Sequence, residues 1–299
     1  MHIIKSTGLA ILLLTGLTGF SQKTFHLKQD FPIGKKYDFS IVSDQIITQK
    51  VGGQTMNMNQ NIGTDYTFNI KNGDERLKDV EVTYNRMFIK SSAMGNTMNV
   101  DSNDSDTTKS NPLRGLTNAG FTMSLAPNGE VKTVIGVDKM ISDIAARSSK
   151  DSVAVKQMKA TLSQQFNAES MRHTMETSLK IYPDKAIKIG ESWVINAKMQ
   201  ISMPIETVTT YTLKEVKDGV AYLDLRGTLL SKGLFKSMGS EIQSDLSGTN
   251  IGDAELDIQT GFILKSHSRV DLTGTMQTAG QTIEFEMQGI NRIEGKEIK

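Results

Sequence analysis

From residue 193 the chain alternates. Trp193, Ile195, Ala197, Met199, Ile201, Met203 and Ile205 are apolar, and Asn196, Lys198, Gln200, Ser202 and Glu206 lie between them. A side-chain period of two predicts a strand with one covered face and one wet face. Pro204 has no N–H to give to a ladder, so it belongs at an edge, a bulge or a strand end. Tyr211 and Leu213 carry the next run, which turns at Lys217-Asp218-Gly219. An Asp-Gly pair between apolar runs is a hairpin signal. Ala221, Leu223, Leu225 and Leu229 alternate beyond it, followed by Ala254, Leu256 and Ile258. A Thr260-Gly261 turn then leads to Phe262, Leu264, Val270 and Leu272. Ala279-Gly280 turns the chain into Ile283, Phe285 and Met287, with Glu284, Glu286 and Gln288 on the wet parity.

The first part has the same style. Tyr37, Phe39 and Ile41 open a strand that turns at Gly52-Gly53, and Met56, Met58, Ile62, Tyr66, Phe68 and Ile70 share one parity on the return. Asn72-Gly73 turns into Val80, Val82 and Tyr84, and Asn128-Gly129 joins Phe121, Met123 and Leu125 to Val131 and Ile135. The middle instead has helical spacing. Asp138 is an expected N-cap for Met140, Ile141, Ile144 and Ala145. Asp151 or Ser152 would cap Val155, Met158, Leu162 and Phe166, and Asn167 would cap Met171, Met175 and Leu179. Pro183 closes the helical stretch.

A tandem pattern orders these pieces. Ile33-Gly34-x-x-Tyr37 matches Ile189-Gly190-x-x-Trp193, and Tyr66-Thr67-Phe68 matches Tyr211-Thr212-Leu213. Asn72-Gly73 matches Asp218-Gly219, and the Asn128-Gly129 turn matches Thr260-Gly261. The expected fold is α+β and predominantly antiparallel β: two tandem curved meander sheets, half-barrel-like, joined and covered by a helical insert. The expected division is a signal peptide at 1–21, a first meander at 22–137, the helical insert at 138–184 and a second meander at 185–299. Loops at 91–118 and 231–250 would be equivalent insertions.

Lys5 followed by Leu9–Leu14, reading LAILLL, is the n-region and h-region of an export signal, too short for a membrane span. Small Gly19 and Ser21 precede a cut before Gln22. The chain has no cysteine, so neither a disulfide nor a lipid anchor on a cysteine at the cut is available. The expected location is therefore the periplasm or the medium. The 34 basic and 33 acidic residues give a charge of +1, which becomes zero once Lys5 is removed. That balance argues against nucleic acid and anionic membranes as partners.

The chemistry is sparse. His26, His173 and His267 are isolated, and His173 with Glu176 three residues on lacks a third metal ligand. No GxSxG, SxxK, P-loop or GxGxxG pattern is present, so neither a catalytic site nor a cofactor is expected. Asp101-Ser-Asn103-Asp104-Ser-Asp106 opens like a calcium loop, but the sixth and twelfth positions hold Asp106 and Pro112 instead of Gly and Glu. The 16 methionines are more telling. Met56, Met58, Met199 and Met203 fall on covered strand parity, and Met158, Met171 and Met175 on apolar helix stripes. Met adapts to irregular gaps and to varied apolar ligands.

Asp101-Ser-Asn-Asp, Asn111-Pro-Leu, Gly120-Phe-Thr-Met-Ser-Leu-Ala-Pro-Asn-Gly-Glu-Val and Val134-Ile-Gly-Val-Asp resemble a domain-of-unknown-function family of exported Bacteroidetes-type proteins. Ile189-Gly-Glu-Ser-Trp193 and Asp257-Ile-Gln-Thr-Gly261 are similar to its second half. That resemblance implies no activity and no catalytic residues. More loosely, curved sheet plus covering helices is similar to the half-barrels of periplasmic lipoprotein and lipid carriers. The expected function is non-enzymatic binding of an apolar ligand, a lipid or acyl chain, between sheet and helices. Trp193, Met199, Met203, Met158 and Phe166 are the expected lining. The alternative is a structural or partner-binding envelope protein without a small ligand.

Overall fold

The computed structural model describes residues 23–106, 111–200, 203–237 and 240–298, without the side chains of 164, 165, 199, 200 and 237. The expected signal peptide lies outside these residues. In the first part, β1 (Thr24–Phe25) precedes β2 (Lys36–Val51), β3 (Gln54–Gly73), β4 (Lys78–Ala93), β5 (Asn96–Asp101), β6 (Gly120–Leu125) and β7 (Val131–Ile135). Three helices follow, α1 (Val137–Ser148), α2 (Ser152–Gln165) and α3 (Ala168–Leu179). Then come β8 (Ile187–Lys188), β9 (Ser192–Gln200), β10 (Pro204–Lys217), β11 (Val220–Ser237), β12 (Ser240–Asp257), β13 (Ile263–Thr278) and β14 (Gln281–Ile298).

The architecture is the expected one: mostly antiparallel β, curved like a half-barrel, with a helical insert. The two meanders are also fused. The last strand, β14, pairs along its length with β2, from Ile283 opposite Val51 to Ile298 opposite Lys36. The result is one 12-stranded sheet in the order β7-β6-β4-β3-β2-β14-β13-β12-β11-β10-β9, with β5 on β4. Period-2 alternation says which face of a strand is covered and nothing about which strand lies beside it. Both outer edges, β7 and β9, pack against α3, which occupies the seam that β7–β9 pairing would otherwise close. The matched Ile-Gly segments make the same pair of backbone bonds. Gly34 N donates to Ile70 O at 2.8 Å and Ile70 N to Lys35 O at 3.0 Å; Gly190 N donates to Leu213 O at 2.7 Å and Leu213 N to Glu191 O at 3.0 Å.

The helices start close to where their caps predict. Asp151 accepts from Val153 N and Ala154 N, and Asn167 forms a capping box with Ser170. α1 differs: Gly136 stands at its N-cap without a side-chain bond, and Asp138 falls in the first turn, where a carboxylate still favours the positive helix end. The expected loop at 91–118 holds the β4–β5 hairpin, and 231–250 is a continuation of the β11–β12 hairpin. Polar side chains such as Asn96, Asn99, Ser231 and Lys232 mask the strand period in both places. Pro204 opens β10, the strand end its missing N–H requires.

Two apolar clusters lie on the core-facing side. The larger one joins Tyr37, Phe39, Phe68, Val82, Phe121, Leu213 and Leu256 of the sheet to Met140, Ile141, Met171, Met175 and Leu179 of α1 and α3. The N-terminal strap, with Leu27 and Phe31, closes its base.

Candidate functional site

The second cluster receives no helical residue. Ile47, Leu229, Leu246, Val270, Leu272, Met276 and Phe285 are buried in it, and Met58, Met203, Ile205, Ile242, Ile283 and Met287 pack against it. Register builds this cluster. Leu229, Gly248, Leu272, Met287, Ile47 and Met58 stand opposite one another in a single row across β11, β12, β13, β14, β2 and β3. Leu246 and Leu272 are fully buried there, so the sheet supplies its own cover by curling. Between the clusters runs a more polar row, Thr209, Gly227, Asn250, Val270, Gly289, Gln45 and Gln60. Asn250 Oδ1 in this row is buried and has no hydrogen-bond partner.

The expected lining residues divide between these regions. Trp193 is half-buried at the edge of the first cluster; its Nε1 donates to Ile181 O at 2.8 Å and its ring stacks on Tyr211 at 5.7 Å. Burial pushes the Tyr211 hydroxyl up to about 12. Phe166 follows the end of α2 and packs on the same cluster, while Met158 is half-buried on α2. Met203 belongs to the second cluster. Met199 stands opposite Ile205 in the ladder, and its side chain lies outside the described residues. The five are therefore not gathered around one cavity.

A groove of about 430 Å³ does separate α3 from β9 and β10, but its walls are Arg172, His173, Glu176, Thr177, Asn196, Lys198, Glu206 and their neighbours. The apolar stripe of α3 faces the core, which leaves its wet stripe to this groove. Glu176 pairs with Arg172 at 3.0 Å and Lys180 at 3.3 Å, so the carboxylate nearest His173 is Glu169, at 3.8 Å.

Two larger grooves lie on the face turned away from the helices. One, of about 680 Å³, crosses six strands and is lined by Asp44, Ile46, Asn59, Asn61, Lys90, Ser92, Thr97, Asn99, Arg269, Gln288 and Ile290, with the intervening residues of the same strands. The other, of about 490 Å³, lies further along the same strands, near Asp38, Ser40, Asp65, Asn85, Lys265, Glu294 and Lys296. Sequence reasoning missed both, because most of the side chains that line them are polar residues of wet rows, ordinary when read one at a time. Between them Phe88 lies over Gly63, where an added Cβ would come within 2.3 Å of the ring.

The calcium-like loop is tied down by its own residues. Arg86 donates to Asp101 from Nη2 at 2.6 Å and from Nε at 3.0 Å, and Asn103 N donates to Asp101 at 3.0 Å. Thr117 Oγ1 donates to Asn103 Oδ1 at 2.7 Å. Among the described residues no three His, Asp or Glu side chains converge as a metal site. The Arg86 hydrogen bonds, more than any other contact, hold the Asp101 carboxyl below its ordinary 3.8. A carboxyl whose folded value is depressed stabilises the fold above its unfolded value, and that contribution is lost as pH falls through the folded one. Asp101→Asn is thus expected to cost about 1 kcal/mol at pH 7, the scale of a part-exposed charged hydrogen bond. In urea titrations the gap to wild type should narrow below pH 3.8.

A model of a family of unknown function (DUF6263) matches residues 75–263. No curated protein matches the chain. Among solved structures, lipovitellin, in a study described as "Lipid-protein interactions in lipovitellin", is 6% identical over 89% of this chain, with a TM-score of 0.49. The chain spans 25% of that protein's length. An outer membrane channel from Pseudomonas putida F1 is 9% identical over 90% of this chain and 97% of its own, with a TM-score of 0.27. OccK5 of Pseudomonas aeruginosa is 5% identical over 89% of this chain and 99% of its own, with a TM-score of 0.23. Among the described residues no helix is long and apolar enough to cross a membrane.

Proposed function

Since the chain belongs to the family of unknown function DUF6263, its role has to be argued from its own geometry, and we propose that it is an exported, non-enzymatic protein that binds a lipid or acyl chain on the core-facing side of its sheet. The observation that carries this is the second apolar cluster. It is an apolar cluster on the inner wall of a curved sheet, covered by the sheet's own curl and not by the helices. Met58, Met203, Met276 and Met287 supply much of it, and Met side chains re-pack around varied apolar shapes. β9 runs between the two clusters: Trp193 and Met199 share its core-facing parity about 20 Å apart, the order of an acyl chain. On this proposal Trp193, Phe166 and Met158 line the helix-covered end of the site, and Met199 and Met203 the helix-free end. The two meanders would be copies of one unit, with 138–184 inserted between them. The competing role is a structural or partner-binding protein, favoured by the helices and strap that already cover the first cluster.

Native mass spectrometry of the protein purified from membrane-containing cells separates the two. Lipid binding predicts an adduct that organic extraction removes, and binding of a fluorescent fatty acid to the stripped protein. Met58→Gln with Met203→Gln is expected to weaken that binding about tenfold, or 1.4 kcal/mol. A single unadducted mass, with no fluorescence change up to the solubility limit of the probe, would leave the structural role standing.

A further inference from the structure

We propose a second binding site, distinct from the apolar one: the groove of about 680 Å³ on the face turned away from the helices takes a neutral oligosaccharide. The groove is built from two adjacent rows of the sheet. Ile290, Asp44, Asn61 and Lys90 stand opposite one another in one row, and Gln288, Ile46, Asn59 and Ser92 in the other. Arg269 and Asn99 extend the first row to β13 and β5. Six strands at about 4.8 Å give a trough roughly 24 Å long, which suits a chain of small units better than a single compact molecule.

The charges in the groove are already matched within the protein. Asp44 accepts from Asn61 at 2.6 Å and pairs with Arg292. Arg269 makes two bonds of 2.9 Å to Asp271. Lys90 remains, with its ammonium 5.6 Å from the Phe88 ring. A trough with one weakly engaged cation is a poor anion site, and an acyl chain lying in it would strip water from the Asn, Ser and Thr side chains of its walls without replacing those hydrogen bonds. What it offers is neutral hydrogen bonding. Asn59, Asn99, Ser92 and Thr97 line it and make no side-chain hydrogen bond among the described residues. Each amide presents donors and an acceptor side by side, and each hydroxyl does both, as neighbouring sugar hydroxyls require. Ile46, 56% exposed in the middle of a wet row, and the half-buried Ile290 supply aliphatic surface for the C–H faces of sugar rings. Carbohydrate recognition needs that pairing of in-plane hydrogen bonds with apolar stacking. An extended peptide would instead seek backbone partners, and the strands lining the trough from β13 to β4 already have a neighbour on each side.

The test uses the full exported chain and a panel of neutral oligosaccharides from two to eight units, read by saturation-transfer NMR and calorimetry. Binding is expected to tighten with length until the trough is filled. Asn59→Ala with Asn99→Ala should weaken it at least tenfold, and Ile46→Glu comparably. Both changes are on the surface, and both should leave the melting temperature and fatty-acid binding as in wild type. Fatty-acid binding reports on the apolar site, so its failure and the failure of this proposal are distinguishable. The proposal is overturned if no member of the panel binds at millimolar concentration, if bound sugar is indifferent to these variants, or if unstructured peptides bind the trough in preference to sugars.

Discussion

Gly261→Ala is expected to destabilise the protein by on the order of 3 kcal/mol or more, whereas Gly219→Ala costs only about 1. Both glycines have left-handed backbones, with φ of 72° and 82°. Both substitutions therefore pay the same penalty for placing a Cβ in that region. Only one of them meets an obstacle. A Cβ on Gly261 would fall 2.0 Å from Lys28 O and 2.6 Å from its carbonyl carbon, while nothing lies within 4 Å of one on Gly219. The obstacle at Gly261 is backbone, and that backbone is fixed. Gln29 N donates to Pro127 O at 2.7 Å, Asp30 N donates to Thr260 O at 2.8 Å, and the Tyr182 hydroxyl donates to Gly261 O at 2.6 Å. Relief would mean pulling the N-terminal strap off both meanders at once. Gly129, in the matching turn of the first meander, is pressed in the same way, since a Cβ there would fall 2.1 Å from Leu179 O, and Gly129→Ala should behave like Gly261→Ala. Equal losses at 219 and 261 in chemical denaturation would show that the strap yields.

The contrast shows what the sequence conveys. Asp218-Gly219 and Thr260-Gly261 both announce turns, because Gly is the residue that turns require. Only the folded chain shows that one turn is free and the other sits under a strap from more than two hundred residues away. The same limit applies to the sheet. Trp193 to Ile205 and Ile283 to Met287 reveal their covered faces through alternation, and the caps Asp151 and Asn167 reveal the helices. The pairing of β14 with β2 leaves no trace, since backbone bonds carry no residue code. Of the strand methionines read as covered, Met58 and Met203 share a cluster, whereas Met56, near the β2–β3 turn, is exposed. The split of that parity into two clusters depends on which rows the helices reach. The groove opposite was illegible because Asn59 and Asn99, read alone, are ordinary wet positions.

The fusion of the meanders leads to the other large effect. Phe262→Ala should lower stability by about 3–5 kcal/mol, the cost of a large cavity in a rigid core. Phe262 belongs to the second meander, yet its ring packs among aromatic rings of the first: Tyr37 at 4.5 Å, Phe31 at 5.7 Å and Phe39 at 6.1 Å. It also lies against Gly295 of β14, where a Cβ would come within 2.5 Å of the ring. The side chain is 3% exposed and covers the place where β14 meets β2. Two outcomes are physically distinct. If the meanders were separate units leaning together, the truncation would loosen only their joint, and a second, earlier transition would appear. Because β2 and β14 share a full-length ladder, the loss is instead expected to be felt across the sheet, as one cooperative transition shifted to lower denaturant. Phe121→Ala, in the same core on β6, serves as the comparison, with a loss of similar size and the same single transition. Hydrogen exchange would check it strand by strand: uniform loss of protection from β7 to β9 supports one folding unit, and loss confined to β2 and β14 refutes it.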